Sequence, residues 1–201
     1  GIMLSADEDD CPKQMVSMGA YLCVFPDGVY VNTQNLSDCG TLAATYDMSD
    51  TTVSLTLCAA DGTDYDIAGA TISPTKPSNP VDGAWWIDSS GSIHSLKQYS
   101  EDTGSWVQVA TTYVKIDADG IGAAFDQYDG VTISGLAYDG ANDALKKQIA
   151  ALNAQNIIRA KGDNYIIVTG IIDQAYSYNG AVKVERKIPR MDFVCELDNR
   201  L

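Results

Sequence analysis

The 201-residue sequence has a single histidine, no Cys-x-x-Cys pair and no apolar run of the roughly 18 residues that a membrane-spanning helix needs. Metal sites usually combine closely spaced cysteines with histidines. We therefore expect no metal ion, and no membrane as a partner. The cysteines are predicted to be buried free thiols of a protein made in a reducing cytoplasm, and they are Cys11, Cys23, Cys39, Cys58 and Cys195.

Positive charge is scarce in most of the chain. The formal net charge is −14, and residues 1–140 contain four lysines and no arginine. Phosphate is repelled by such a surface, so nucleic acid is not an expected partner. The one basic segment, KVERKIPR (183–190), alternates with Val184 and Ile188 and is interpreted as the solvent face of a strand.

Motifs for catalysis are also lacking. The sequence has no G-x-S-x-G, no H-E-x-x-H and no glycine-rich phosphate loop. His94 lies beside Ile93 and near Leu96 in SIHSLKQ and is interpreted as an imidazole at the rim of a strand. Most of the 23 aspartates belong to turns, and nothing marks two of them as a hydrolase pair. We predict that the chain is not an enzyme, has no catalytic residues and needs no cofactor.

The segment DADGIGAAFD (117–126) begins like a calcium-binding loop. An EF-hand loop requires glycine at its sixth position and glutamate at its twelfth. Counting from Asp117, Gly120 is fourth and Tyr128 is twelfth. The segment is therefore interpreted as a hairpin turn.

Turn residues and short apolar runs dominate what is present. Asp-Gly and Asn-Gly pairs recur along the chain and favour the positive φ angles of tight turns. The runs between them have strand length, and their spacing favours a short-stranded meander or sandwich, a mainly β fold. Strands are predicted at 15–25, 28–33, 52–58, 65–72, 84–88, 92–99, 105–109, 112–116, 130–136, 156–161, 164–172 and 181–188.

One helix is predicted, at about 143–153. Asn142 or Asp143 can cap its first turn. Leu145, Ile149 and Leu152 follow at helical spacing and define one apolar face. By contrast, SPTKPSNPVDG (73–83) contains three prolines, which favours a stiff connector between two β units.

All three tryptophans lie in GAWWIDSSGSIHSLKQYSEDTGSWVQV (83–109), which is predicted to form a three-stranded meander. Consecutive strand residues point to opposite faces, so Trp85 and Trp86 cannot share one surface. Two hypotheses remain open. The aromatic residues either clamp the middle strand around Ile93 and Leu96, or they bind a ligand such as a sugar next to Asp88 and Gln98. The candidate ligand-binding residues are Trp85, Trp86, Tyr99 and Trp106.

Five stretches resemble proteins of tailed bacteriophages. The stretch 83–109 resembles a pattern of tail and fibre proteins, and YDGVTISGL with LNAQNIIRAKGDNYIIVTG resembles a second phage-associated pattern. The opening PKQMVSMGAYLCVFPDGVYVNTQN and the ending RKIPRMDFVCELDNRL resemble tail-region proteins of prophages in Gram-positive bacteria. The resemblance implies a fragment or domain of a larger tail or neck protein.

The resemblance also implies an organisation. Residues 12–45 with 190–201 would form a terminal β unit in which 15–33 pairs with 191–197. Residues 46–189 would be inserted: first strands and the proline-rich connector at 46–80, the tryptophan-containing meander at 81–116, and a small β-barrel with the helix at 117–189.

The function that follows from the resemblance is structural. The chain would contact other virion proteins and copies of itself, would be made in the bacterial host cytoplasm and would reside in the virion. The alternative is a carbohydrate-binding module that recognises a host-surface glycan. A glycan hydrolase is the third hypothesis.

Overall fold

The computed structural model describes Ile2, Leu4 and residues 12–188, and within this part of the chain the fold is mainly β, with one α-helix. No helix in these residues is both long enough and apolar enough to cross a membrane. The elements are β1 (Gln14–Met18), β2 (Tyr21–Phe25), β3 (Val29–Asn32), β4 (Asn35–Thr41), β5 (Ala44–Cys58), β6 (Thr71–Ser73), β7 (Trp85–Asp88), β8 (Ser95–Ser100), β9 (Ser105–Gln108), β10 (Tyr113–Asp117), β11 (Gly130–Ser134), α1 (Asp143–Leu152), β12 (Gln155–Ile157), β13 (Ala160–Gly162), β14 (Tyr165–Thr169) and β15 (Tyr176–Arg186).

The described residues divide into two compact units, 12–44 with 186–188 and 45–185. The predicted pairing of 15–33 with 191–197 needs residues outside the described part of the chain. The smaller unit contains an antiparallel sheet of β1, β2, β3 and β4, in that order, which we call the terminal sheet. The prediction of one strand over 15–25 is wrong, because the chain turns at Gly19, where φ is +58°, and β1 and β2 form a hairpin.

The larger unit is built on a seven-stranded sheet, the central sheet, with the order β12-β11-β15-β5-β10-β14-β13. Its core is aliphatic. Successive strand residues point to opposite faces, so a strand buried on one face alternates buried apolar residues with more exposed ones. In β5, for example, Val53, Leu55 and Leu57 are fully buried, while the residues between them are partly exposed. Leu55 pairs with Ile116 of β10, which is also fully buried.

The predicted barrel over 117–189 is wrong in two respects. The sheet is not closed, and it includes β5 and β10 from earlier in the chain. Its two edges do lie near each other, because edge strands β12 and β13 are separated by only two residues, which span about 10 Å or less. The central sheet is therefore a curled, open sheet.

The helix prediction is confirmed. The side-chain Oδ1 of Asn142 accepts hydrogen bonds from the backbone N–H groups of Ala144 and Leu145, both at 3.1 Å. This satisfies two of the donors that every helix leaves free at its first turn. Leu145, Ile149 and Leu152 are buried, as their spacing predicted.

The larger unit also contains a sheet of β6, β7, β8 and β9, which we call the tryptophan sheet. β7, β8 and β9 form the predicted meander, but β10 does not continue it, because the chain leaves this sheet after Gln108 and enters the central sheet at Tyr113. The proline-rich segment does not join two units. It connects β6 to β7, which are parallel neighbours in this one sheet.

The segment that begins DADG is not a hairpin turn. It belongs to a turn-rich connection between β10 and β11, which are not neighbours in the central sheet. Gly120 has a φ of +73°, and its backbone N–H donates to Oδ1 of Asn164 at 2.9 Å. Asn164 thus holds this turn.

Candidate functional site

The strand register of the tryptophan sheet places most of its aromatic residues on one face. Trp86 pairs with Lys97, and Tyr99 pairs with Trp106, so these four side chains project from the same side. We call this side the aromatic face. Trp85, one residue earlier, projects from the other side.

Three aromatic rings and one cation pack together on the aromatic face. The centroid of the Trp106 ring lies 5.5 Å from those of both Trp86 and Tyr99, in edge-on and tilted arrangements. The Nζ of Lys97 lies 4.5 Å from the centroid of Trp86. Such geometries are attractive through the ring quadrupole. These three rings and the Lys97 ammonium therefore pack against one another.

Trp86 is closed to ligands. Only 5 % of its surface is exposed, and its Nε1 donates to the carbonyl oxygen of Ser73 at 3.0 Å. The hydrogen bond ties β7 to the end of β6. Trp86 therefore acts as a clamp rather than as a stacking platform.

The clamp does not cover the residues that the sequence indicated. Leu96 is fully buried but lies on the opposite face, next to Ile87. Ile93 precedes β8 and is 79 % exposed. The aromatic rings instead pack against one another and, at Trp86, against the ammonium of Lys97.

The polar neighbours proposed for a sugar site already have partners. Asp88 accepts a hydrogen bond from the Nζ of Lys97 at 2.7 Å, and hydrogen bonds from Lys97 and Ser90 lower the pKa of Asp88 to about 2. The amide nitrogen of Gln98 donates to the carbonyl oxygen of Gly83 at 3.2 Å. These groups hold the sheet together.

A groove of about 380 Å³ lies between Trp85, Trp106 and the loop 77–81. Trp85 packs edge-on against Tyr65, with 5.3 Å between ring centroids, and remains partly exposed. The Nε1 of Trp106 is buried and has no hydrogen-bond partner among the described residues. This groove is the part of the tryptophan region that could accept a ligand.

A second site surrounds the single histidine. The Nδ1 of His94 lies 2.8 Å from Oδ1 of Asp173, whose side chain is 2 % exposed. The Nε2 of Gln148 donates to the same oxygen at 2.7 Å, and the backbone N–H of Asp173 donates to Oε1 of Gln148 at 2.9 Å. The buried carboxylate is thus hydrogen-bonded, as buried charges need to be.

These contacts determine the tautomer of His94. A carboxylate only accepts hydrogen bonds, so Nδ1 carries the proton. The Nε2 of Gln148, 3.3 Å from Nδ1, is itself a donor and makes no hydrogen bond there. In the neutral ring the lone pair is therefore on Nε2, which has no partner in the described chain.

His94 lines two cavities. One of about 470 Å³ lies between the loop that ends at His94 and helix α1, and one of about 290 Å³ lies toward residues 108–112. Both cavities also contact 169–171, which follow the end of β14. A volume near 470 Å³ is within the range of small-molecule sites.

The larger cavity has apolar walls and a few polar groups. Ile93, Ala151, Leu152 and Ile171 supply the apolar surface, and Lys147 and His94 supply the nitrogen groups. Lys147 forms no ion pair with any described residue, whereas Lys97, Lys115 and Lys183 each do.

Sequence reasoning placed His94 at a strand rim and missed Asp173 and Gln148. Asp173 is one of 23 aspartates, and nothing in IIDQAY marks it as buried. Gln148 does lie one residue before Ile149 on the predicted helix, which places it beside the apolar face. That position was the only available signal.

Comparison of the chain with protein families, with curated proteins and with solved structures found no match.

Proposed function

We propose that the chain is a structural component of the virion of a tailed bacteriophage or prophage, from the tail or neck region. In this proposal it is synthesised in the bacterial cytoplasm, resides in the virion and contacts other virion proteins and copies of itself without catalysing a reaction. The sequence patterns described above give the phage context. The surface of the tryptophan sheet supports the mode of action.

The observation that carries the proposal is the apolar rim of this sheet. Ile72 of β6 and Val107 of β9 are 48 % and 51 % exposed. The register places them on the same face, at the two edges, with the buried Ile87 and Leu96 between them. An open strand edge that carries an exposed aliphatic side chain is a place where a strand of another protein can pair.

Mass spectrometry of purified particles tests the proposal. Particles released by prophage induction of the source strain are expected to contain this chain at stoichiometric levels. Clean particles that lack it, from cells that express it, would contradict a virion role.

A pair of variants tests the surface. Val107→Lys places a charge on the apolar rim, and Gln108→Lys places the same charge one residue away, on the other face of the same edge strand. Both positions are exposed, so both variants are expected to fold. Depletion of only the Val107 variant from particles supports contact through this rim, and equal incorporation of both counts against it.

The alternative is a carbohydrate-binding module that recognises a host-surface glycan. The groove beside Trp85 and the unpartnered Nε1 of Trp106 favour it. Tryptophan fluorescence separates the two. Glycan binding is favoured if iodide quenches the emission and a glycan protects against that quenching. The emission should then also change in Trp85→Phe. Emission that iodide does not quench, and that no glycan alters, favours the clamp.

A further inference from the structure

The strongest unassigned feature is the 470 Å³ cavity between helix α1 and His94, which the virion proposal does not use. It combines a hydrogen-bond acceptor, a cation and apolar walls. Few ligand groups satisfy all three at once. The ligand must offer a hydrogen-bond donor, a negative charge and a compact apolar body.

The acceptor is fixed in place. Asp173 and Gln148 hold the Nδ1 side of the His94 ring, and their mutual hydrogen bonds of 2.7 and 2.9 Å fix the carboxylate. The unpartnered lone pair of Nε2 is therefore presented at a defined position. A pre-oriented acceptor favours an N–H or O–H donor, since its orientation is fixed before binding.

The cation is not needed by the fold. Lys147 lines the cavity, is exposed and forms no ion pair with a described residue. Its neighbour Lys146 is also exposed but does not line the cavity. An anion at the cavity would find Lys147 as its partner, although the chain as a whole repels anions.

We propose that this cavity binds an N-acylated apolar amino acid, the chemistry that the C-terminal residue of a polypeptide also presents. The amide N–H donates to Nε2 of His94, the carboxylate pairs with Lys147, and the aliphatic side chain packs on Ile93, Leu152 and Ile171. N-acetyl-leucine is the minimal probe. A short peptide that ends in leucine is the probe for a polypeptide source.

The single histidine makes the readout specific. In an untagged 201-residue protein, the imidazole ¹⁵N signals come from His94 alone and are distinct from the indole signals of the three tryptophans. N-acetyl-leucine is expected to shift the Nε2 signal saturably. N-acetyl-leucinamide lacks the charge, and the ester analogue with oxygen in place of N–H lacks the donor, so both are expected to bind more weakly.

Variants assign each contact. Lys147→Gln is expected to weaken binding of N-acetyl-leucine about three- to ten-fold and to leave the amide analogue unaffected. Lys146→Gln, with the same charge change on the same helix, is the matched control and is expected to have no effect. His94→Phe is expected to weaken binding of N-acetyl-leucine but not of the ester analogue, and calorimetry measures both.

The two ligand sources are distinguished by the peptide. Tighter binding of the leucine-terminated peptide than of N-acetyl-leucine assigns the cavity to a polypeptide C-terminus, and equal affinity assigns it to the free acyl amino acid. No saturable shift with either probe at millimolar concentration would overturn the proposal. Equal weakening by Lys146→Gln and Lys147→Gln would also overturn it, because general electrostatics would then explain the binding.

Discussion

The central sheet and the tryptophan sheet of the larger unit differ in what they bury. The central sheet fills its interior with fully buried aliphatic side chains, among them Leu55, Ile116 and Ile167. In the tryptophan sheet Ile87 and Leu96 are fully buried, and the opposite face is closed by aromatic rings with polar tips. The first sheet therefore supplies stability, and the second supplies a rigid, partly apolar surface.

The largest loss of stability is expected at the centre of the central sheet. Leu55 lies on β5, the middle strand, and Leu55→Ala is expected to lower the free energy of unfolding by about 2–5 kcal/mol, because it opens a cavity in a close-packed interior. Denaturant unfolding measures the change. Met48→Ala, on the same strand but 42 % exposed, is the control, and an equal loss there would contradict the assignment.

A smaller effect is expected in the tryptophan sheet. Trp86→Phe keeps an aromatic ring but removes the hydrogen bond to Ser73, which should cost about 1–2 kcal/mol. Trp85→Phe removes no hydrogen bond within the described residues and is expected to cost less. If both variants unfold at the same denaturant concentration, Trp86 is not the clamp of this sheet.

Acid should weaken the ion pair between Asp88 and Lys97 on the aromatic face. The pKa of Asp88 is about 2 in the folded chain against an ordinary 3.8, so its contribution to stability is complete above about pH 4 and is lost as pH falls through 2. Carboxyl NMR titration is expected to give a midpoint near 2. Asp88→Asn should flatten the pH dependence of stability in this window, and an unchanged slope would contradict the ion pair with Lys97.

Cysteine alkylation tests the same comparison without changing the sequence. Burial raises the pKa of the Cys58 thiol to about 11, and Cys58 is fully buried at the end of β5. Thiolates, not thiols, react with alkylating agents. Cys58 should therefore be labelled much more slowly than the partly exposed Cys39 in the folded chain, as mass spectrometry would report. Equal rates would mean that the central sheet opens readily.

Local signals were sufficient for some elements. The helix is encoded by its cap at Asn142 and by the spacing of Leu145, Ile149 and Leu152, which all lie within eleven residues. The meander of β7, β8 and β9 also follows from adjacent turns. Such features depend on neighbours in sequence and can be predicted from it.

Long-range pairing was not accessible in the same way. The segment WVQVATTYVKI contains no glycine or proline, and nothing in it shows that the chain changes sheets between Gln108 and Tyr113. Likewise, His94 and Asp173 are 79 positions apart, so their contact depends on how two sheets and a helix pack. The candidate site near His94 thus became visible only in three dimensions.

The pairing of β5 with β15 has a consequence for how this molecule can change over generations. Thr52 contacts Asn179 at 2.9 Å and Ser54 contacts Ser177 at 2.8 Å, so the two strands run in opposite directions side by side. The chain therefore enters and leaves the larger unit at adjacent points, about 5 Å apart. A unit with such ends can be spliced into a surface turn of another protein. The ends of residues 45–185 therefore meet the geometric condition for insertion as one block.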